Sequence, residues 1–139
     1  MRSALAAIVV VAVFIISAGA FASSPIAIIT IPTDTITRGD PYSTVRLGQA
    51  DTSHVAGQEC AFVLSSRNTH HRSIHDNTLI LNIAGEEFVL PIERQTDEVS
   101  TGVITRIAGT TVTLDLAFGS GNVASVGAEV TMECIPPEP

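Results

Sequence analysis

"GVITRIAGTTVTLDLAF" occupies residues 102–118, and its reading decides the fold class. In the second half the alternation is clean: Val112, Leu114 and Leu116 fall on one side, Thr111, Thr113 and Asp115 on the other. That is the two-residue period of a strand with one buried face. The first half, 102–108, is rich in β-branched residues, and Gly109 separates it from the second. The spacing predicts the two arms of a hairpin.

Other runs of this kind lie on both sides. Residues 26–31, "IAIITI", end at Pro32, and 43–49 follow the "RGDPY" turn at 38–42. Residues 58–66 place Cys60, Phe62 and Leu64 on one face, and 127–134 do the same for Val130, Met132 and Cys134. Runs at 78–84 and 87–93 flank the "GEE" turn and predict another hairpin. Pro91 marks its second arm as an edge strand or a bulge, because proline cannot donate to a ladder. Residues 118–125, "FGSGNVAS", read as a turn-rich loop.

Helical periodicity is scarce. About seven short strands between regular turns predict an all-β chain, a single antiparallel β-sandwich, Ig-like in architecture. True immunoglobulin marks are missing: there is no Trp, and Met132 stands where a tyrosine corner would sit, two residues before Cys134. With few aromatics, the core falls to Val, Ile and Leu.

The chain starts with Met1-Arg2-Ser3 and an apolar run from Ala4 to Ala20, then small residues, including Ala20-Phe21-Ala22. This has the build of a secretory signal helix over residues 1–22; uncleaved, it would be a membrane anchor. An N-terminal segment with the first strand (23–42), a sandwich core (43–134) and a proline-rich tail (135–139) are expected to follow. Cleavage would remove Arg2, leaving six of seven basic residues against all fourteen acidic ones, a formal charge near −8. A surface so acidic excludes nucleic acid as a partner and disfavours anionic membranes. An even count of two cysteines, Cys60 and Cys134, in an exported chain predicts a disulfide.

The stretches "AGQECAFVL", "SIHDNTLIL", "EFVLPIER", "VTLDLAF" and "GAEVTMEC" occur in that order over residues 44–134. This set resembles small exported bacterial β-sandwich domains of unknown function. These share a GQ-x-C strand, a turn with one histidine and a terminal strand ending in cysteine. The resemblance implies export, a sandwich and a Cys60–Cys134 bridge, and it brings no activity or ligand. Here the familiar turn's glycine is missing; its histidine matches His75, and His70 and His71 are additions.

"NTHHRSIHDN" (68–77) concentrates the side chains best suited to chemistry. As a metal site, His70, His71 and His75 would offer imidazoles suited to zinc or copper. Arg67 and Arg72 work against a cation there, and adjacent histidines in a strand would point to opposite faces. As a structural turn, His75 and Asn77 would fix the entry to the next strand through side-chain hydrogen bonds. No G-x-S-x-G elbow is present, and the acid pairs Glu86-Glu87 and Asp97-Glu98 sit at turns. The sequence therefore predicts no enzyme, no catalytic residue and no obligatory cofactor. It predicts a secreted or cell-envelope β-sandwich with a structural or interaction role toward an unknown protein or cell-surface partner. The alternative is metal binding, zinc or copper, at the histidine loop.

Overall fold

The structure is a computed structural model that describes residues 24–67, 77–92 and 99–135. The signal helix expected over 1–22 and residues 136–139 of the expected tail lie outside the described residues. The strands are β1 Ile26–Ile31, β2 Ile36–Arg38, β3 Thr44–Asp51, β4 Glu59–Arg67 and β5 Thr78–Ile83. They continue as β6 Glu86–Pro91, β7 Val99–Ile107, β8 Thr111–Ala117, β9 Val123–Ser125 and β10 Gly127–Cys134. One 3-10 turn, Ser53–Val55, follows β3.

All pairings are antiparallel, and they nest. β1 pairs with β10, β2 with β9, β3 with β8, β4 with β7 and β5 with β6. The chain is thus one long ribbon folded at a single tip, Ala84-Gly85, and then rolled so that β10 meets β4 and β5 meets β8. The result is a front sheet, β1-β10-β4-β7, packed on a back sheet, β3-β8-β5-β6, with β2-β9 as a small separate ribbon. First-with-last nesting over two four-stranded sheets is the jelly-roll arrangement.

Strand alternation builds the core. The front sheet turns in Phe62, Leu64, Val130 and Met132, and the back sheet turns in Leu79, Leu81, Ile83, Val112, Leu114 and Leu116, all buried. Burying each such side chain contributes about 1.5–3 kcal/mol, enough to fix which face of each strand points inward.

Several expectations from the sequence need correction. Gly109 is not a hairpin: β7 belongs to the front sheet and β8 to the back sheet, so residues 108–110 carry the chain across the sandwich. The reason is backbone conformation. A two-residue hairpin needs positive φ, found at Ala84 (φ 53°) and Gly85 (φ 85°) but not at Gly109. Instead Gly109 presents its carbonyl to buried Thr52, whose Oγ1 donates at 2.8 Å. The architecture is also not Ig-like: β5-β6 is the sole pair of strands consecutive in sequence among the described residues, whereas the immunoglobulin sandwich pairs several. Residues 118–125 contain β9, and β2 lies within 32–43. Three residues are too few to show a period. Cys60 and Cys134 form the expected disulfide, and it joins neighbouring strands of one sheet.

Candidate interaction surface

The residues that alternate with the core define the outer face of the front sheet. Opposite Phe62 and Leu64, β4 turns out Ala61, Val63 and Ser65; β10 turns out Glu129, Thr131 and Glu133. From β7 come Thr101, Val103, Thr105 and Ile107. The register sets Thr131, Val63 and Val103 in one row across three strands, with Glu133, Ala61 and Thr105 in the next. Beyond them Glu59 lies opposite Ile107 and accepts a backbone hydrogen bond from Ile135 at 2.9 Å. The apolar members are well exposed: Val103 63%, Ile107 56%, Ile135 59%. Glu59, Glu129 and Glu133 flank them. Burial against this surface holds the Glu133 carboxyl above its ordinary value, because the charged form loses water there.

The disulfide cross-links this sheet. Cys60 and Cys134 face each other directly, with Cα atoms 3.9 Å apart. Since Ile135 and Glu59 are a hydrogen-bonded pair, the cysteines one step along occupy a non-hydrogen-bonded position, where side chains approach most closely. The bridge ties the two central strands and leaves the contact between the sheets to apolar packing.

The four sheet edges differ. β1 carries an irregularity between Ala27 and Ile29, and β3 carries one between Arg46 and Gly48. β6 holds Glu86, Glu87 and Pro91. These are the devices that keep an edge from pairing. β7 has no bulge, proline or carboxylate: nine residues run in unbroken register with β4, and its one charge, Arg106, is paired with Glu86. Its inner side is closed by β6, where the Phe88 ring lies over Gly102. A Cβ at position 102 would come within 2.3 Å of that ring. Arg106 reaches from β7 to Glu86 at 2.7 Å.

The histidines expected to carry chemistry, His70, His71 and His75, lie outside the described residues. Asn77, expected beside His75 as a structural residue, is buried at 2% exposure. Its Oδ1 accepts from the Gly119 amide at 3.1 Å, and its backbone carbonyl accepts from the Ile92 amide at 3.0 Å. It therefore joins three connections at one end of the sandwich. His54 is exposed in the 3-10 turn. Among the described residues, no cluster of three metal-ligating side chains occurs. A shallow open depression of ≈ 310 Å³ lies beside Gln49, Asp51, Ser53 and Thr110. Its carboxylate is occupied by Ser53, which donates from Oγ at 2.6 Å and from its backbone N–H at 2.8 Å. These bonds hold the Asp51 carboxyl below its ordinary value.

The outer face of the front sheet was missed in the sequence, yet a signal for it was present. In "VITRI" apolar side chains fall on both faces, Val103 and Ile107 on one and Ile104 on the other. A strand with one solvated face does not do this.

No family model matches the chain, and none of the curated proteins does. Among solved structures it is similar to a protein of the infectious bursal virus derived T=1 particles. The TM-score is 0.48 and the identity 15%, covering 82% of this chain and 32% of that one. The chain spans about a third of that protein's length.

Proposed function

We propose that this protein is an extracytoplasmic, non-catalytic interaction module, and that the outer face of the front sheet is its working surface. One observation carries the reading: Val103 stands exposed beside Val63, and Ile107 and Ile135 stand exposed on either side of Glu59 further along the same face, on a sheet whose central strands are covalently joined. Contiguous exposed apolar side chains rimmed by polar ones mark interaction sites in soluble proteins. The bridge fits an oxidising compartment, as do the leader over 1–22 and the resemblance to exported bacterial sandwiches.

The test is site-specific photo-crosslinking in the exporting cell, with the photoreactive residue at Val103 or, on the back sheet, at Thr113. Adducts are expected from position 103 and not from 113. Equal labelling at both positions, or none at either, overturns the proposal. Addition of zinc or copper is expected to leave the melting temperature unchanged; a rise would favour the histidine-loop alternative.

A further inference from the structure

The same surface ends in the one undefended edge among the described strands, and the ladder geometry shows what that edge offers. Ala108 donates its N–H to the Gln58 carbonyl at 2.8 Å, so Arg106, Ile104 and Gly102 turn their backbone groups toward β4. The N–H and C=O groups of Thr101, Val103, Thr105 and Ile107 therefore point away from the sheet. β7 pairs with no second strand among the described residues.

We propose that this edge is completed by β7 of a second copy, antiparallel, making one continuous eight-stranded front sheet across a two-fold axis. The inference rests on the interaction-surface reading above and names its partner. Charge selects the occupant. The chain carries fourteen carboxylates, and none lies on β7. Its single cation, Arg106, is held by Glu86. On β7 itself a charged partner strand finds no unpaired opposite charge, the front-face carboxylates Glu59, Glu129 and Glu133 lying on the strands behind it, whereas the edge is complementary to itself. In a register centred on Val103, the two Val103 side chains face each other and Thr101 faces Thr105 of the other copy. All outward-pointing amides and carbonyls then pair, and the two apolar patches join. Matching β-branched residues directly across a ladder are favourable, and a two-fold contact requires such self-complementarity. Strand pairing of this length buries less than the ~800 Å² per partner of a standard interface, so the dimer is reversible and concentration-dependent.

Sedimentation equilibrium of the purified, oxidised full chain tests this. The wild type is expected to pass from one to two chain masses as concentration rises. The shift should grow from low to about 0.15 M salt, where the Debye length shortens to about 8 Å and repulsion between acidic copies is screened. Thr105→Pro removes an outward N–H without touching the ladder to β4, and Val103→Lys places charge against charge; both should abolish the shift. Val89→Lys on the β6 edge should leave it intact. Thr105→Pro and Val103→Lys act by separate means, so one suffices if the other fails to fold. A wild type that stays at one chain mass, or a dimer that survives both substitutions, overturns the inference. If the wild type is monomeric while position 103 still crosslinks to a different protein, only the identity of the partner falls. If neither is seen, the interaction-surface reading falls with it.

Discussion

The two sheets share one core and differ in what they show outside. The back sheet turns out Thr44, Arg46, Gln49, Thr78, Asn82, Thr111, Thr113 and Asp115, apolar positions being confined to Ile80, Val89, Ala117 and Pro91. Arg46 is ion-paired with Asp115 and also donates to Gln49 at 3.2 Å. Both of its edges carry a bulge, a proline or acidic side chains. The front sheet turns out Val63, Val103, Ile107 and Ile135 and leaves β7 unprotected. Burial of the common core demands neither pattern, because outward residues are free of it. Under the proposed interaction role, the front surface is the one to be covered and the back surface the one that stays in water.

The largest way to break the contrast is to remove the disulfide. Cys60→Ser combined with Cys134→Ser opens a loop with a sequence separation of 74. The chain-entropy relation gives about 4 kcal/mol for a loop of that size. Urea unfolding should show a loss of this order, and amide exchange should quicken more in β4 and β10 than in β5 and β8. Equal quickening in both sheets would mean that the bridge does not stiffen the front sheet selectively. Next comes Gly102→Val. The Phe88 ring has no room for a side chain at 102, and overpacking of this kind costs about 1–3 kcal/mol. A neutral result in thermal denaturation would show that the ring is free to swing out and that β6 does not seal the flank of β7.

Of comparable size is Asn77→Ala, which leaves the Gly119 amide without its side-chain acceptor in a buried site, at about 1–3 kcal/mol. Its loss should act on the end where β4 leaves and β5 begins, and spare the front face. A variant that folds normally yet loses the position-103 crosslink would contradict that separation.

The eight longer strands were legible in the sequence, while three-residue β2 and β9 were not; of the pairings, only the β5-β6 hairpin was. The alternation that places Cys60, Phe62 and Leu64 inward fixes a face, and the same alternation fits any partner strand. Two glycines show the limit. Gly85 follows a run that turns back on itself, while Gly109 follows one that crosses to the other sheet, and only φ distinguishes them. Composition around the glycine carried no such information. The proposed interaction surface was hidden for a related reason. Val103 and Ile107 read as ordinary strand residues until the register placed them opposite Val63 and Glu59, away from the core. The histidine cluster drew notice because imidazole is chemically versatile, whereas a patch of Val and Ile is visible only once the sheets are assembled.

The smallest predicted effect compares one carboxylate from each sheet. Glu133, on the front face, has its carboxyl raised above the ordinary value of 4.5 by burial, so the folded chain holds that proton more readily than the unfolded one. Its ionised form opposes folding once pH exceeds the raised value, and the opposition disappears below 4.5. Asp51, at the end of back-sheet β3, is lowered below 3.8, first by the Ser53 hydroxyl and then by its backbone N–H. Its contribution has the opposite sign: present above 3.8 and lost as pH falls through the lowered value. Glu133→Gln should therefore raise the melting temperature slightly at pH 7 and leave it unchanged at pH 3. Asp51→Asn should lower it slightly at pH 7, with the difference shrinking in acid. Both groups are solvent-screened, so each shift is expected to be a degree or two. If both substitutions move the melting temperature in the same direction at pH 7, the front face does not desolvate Glu133, and the contrast between the two surfaces loses its electrostatic support.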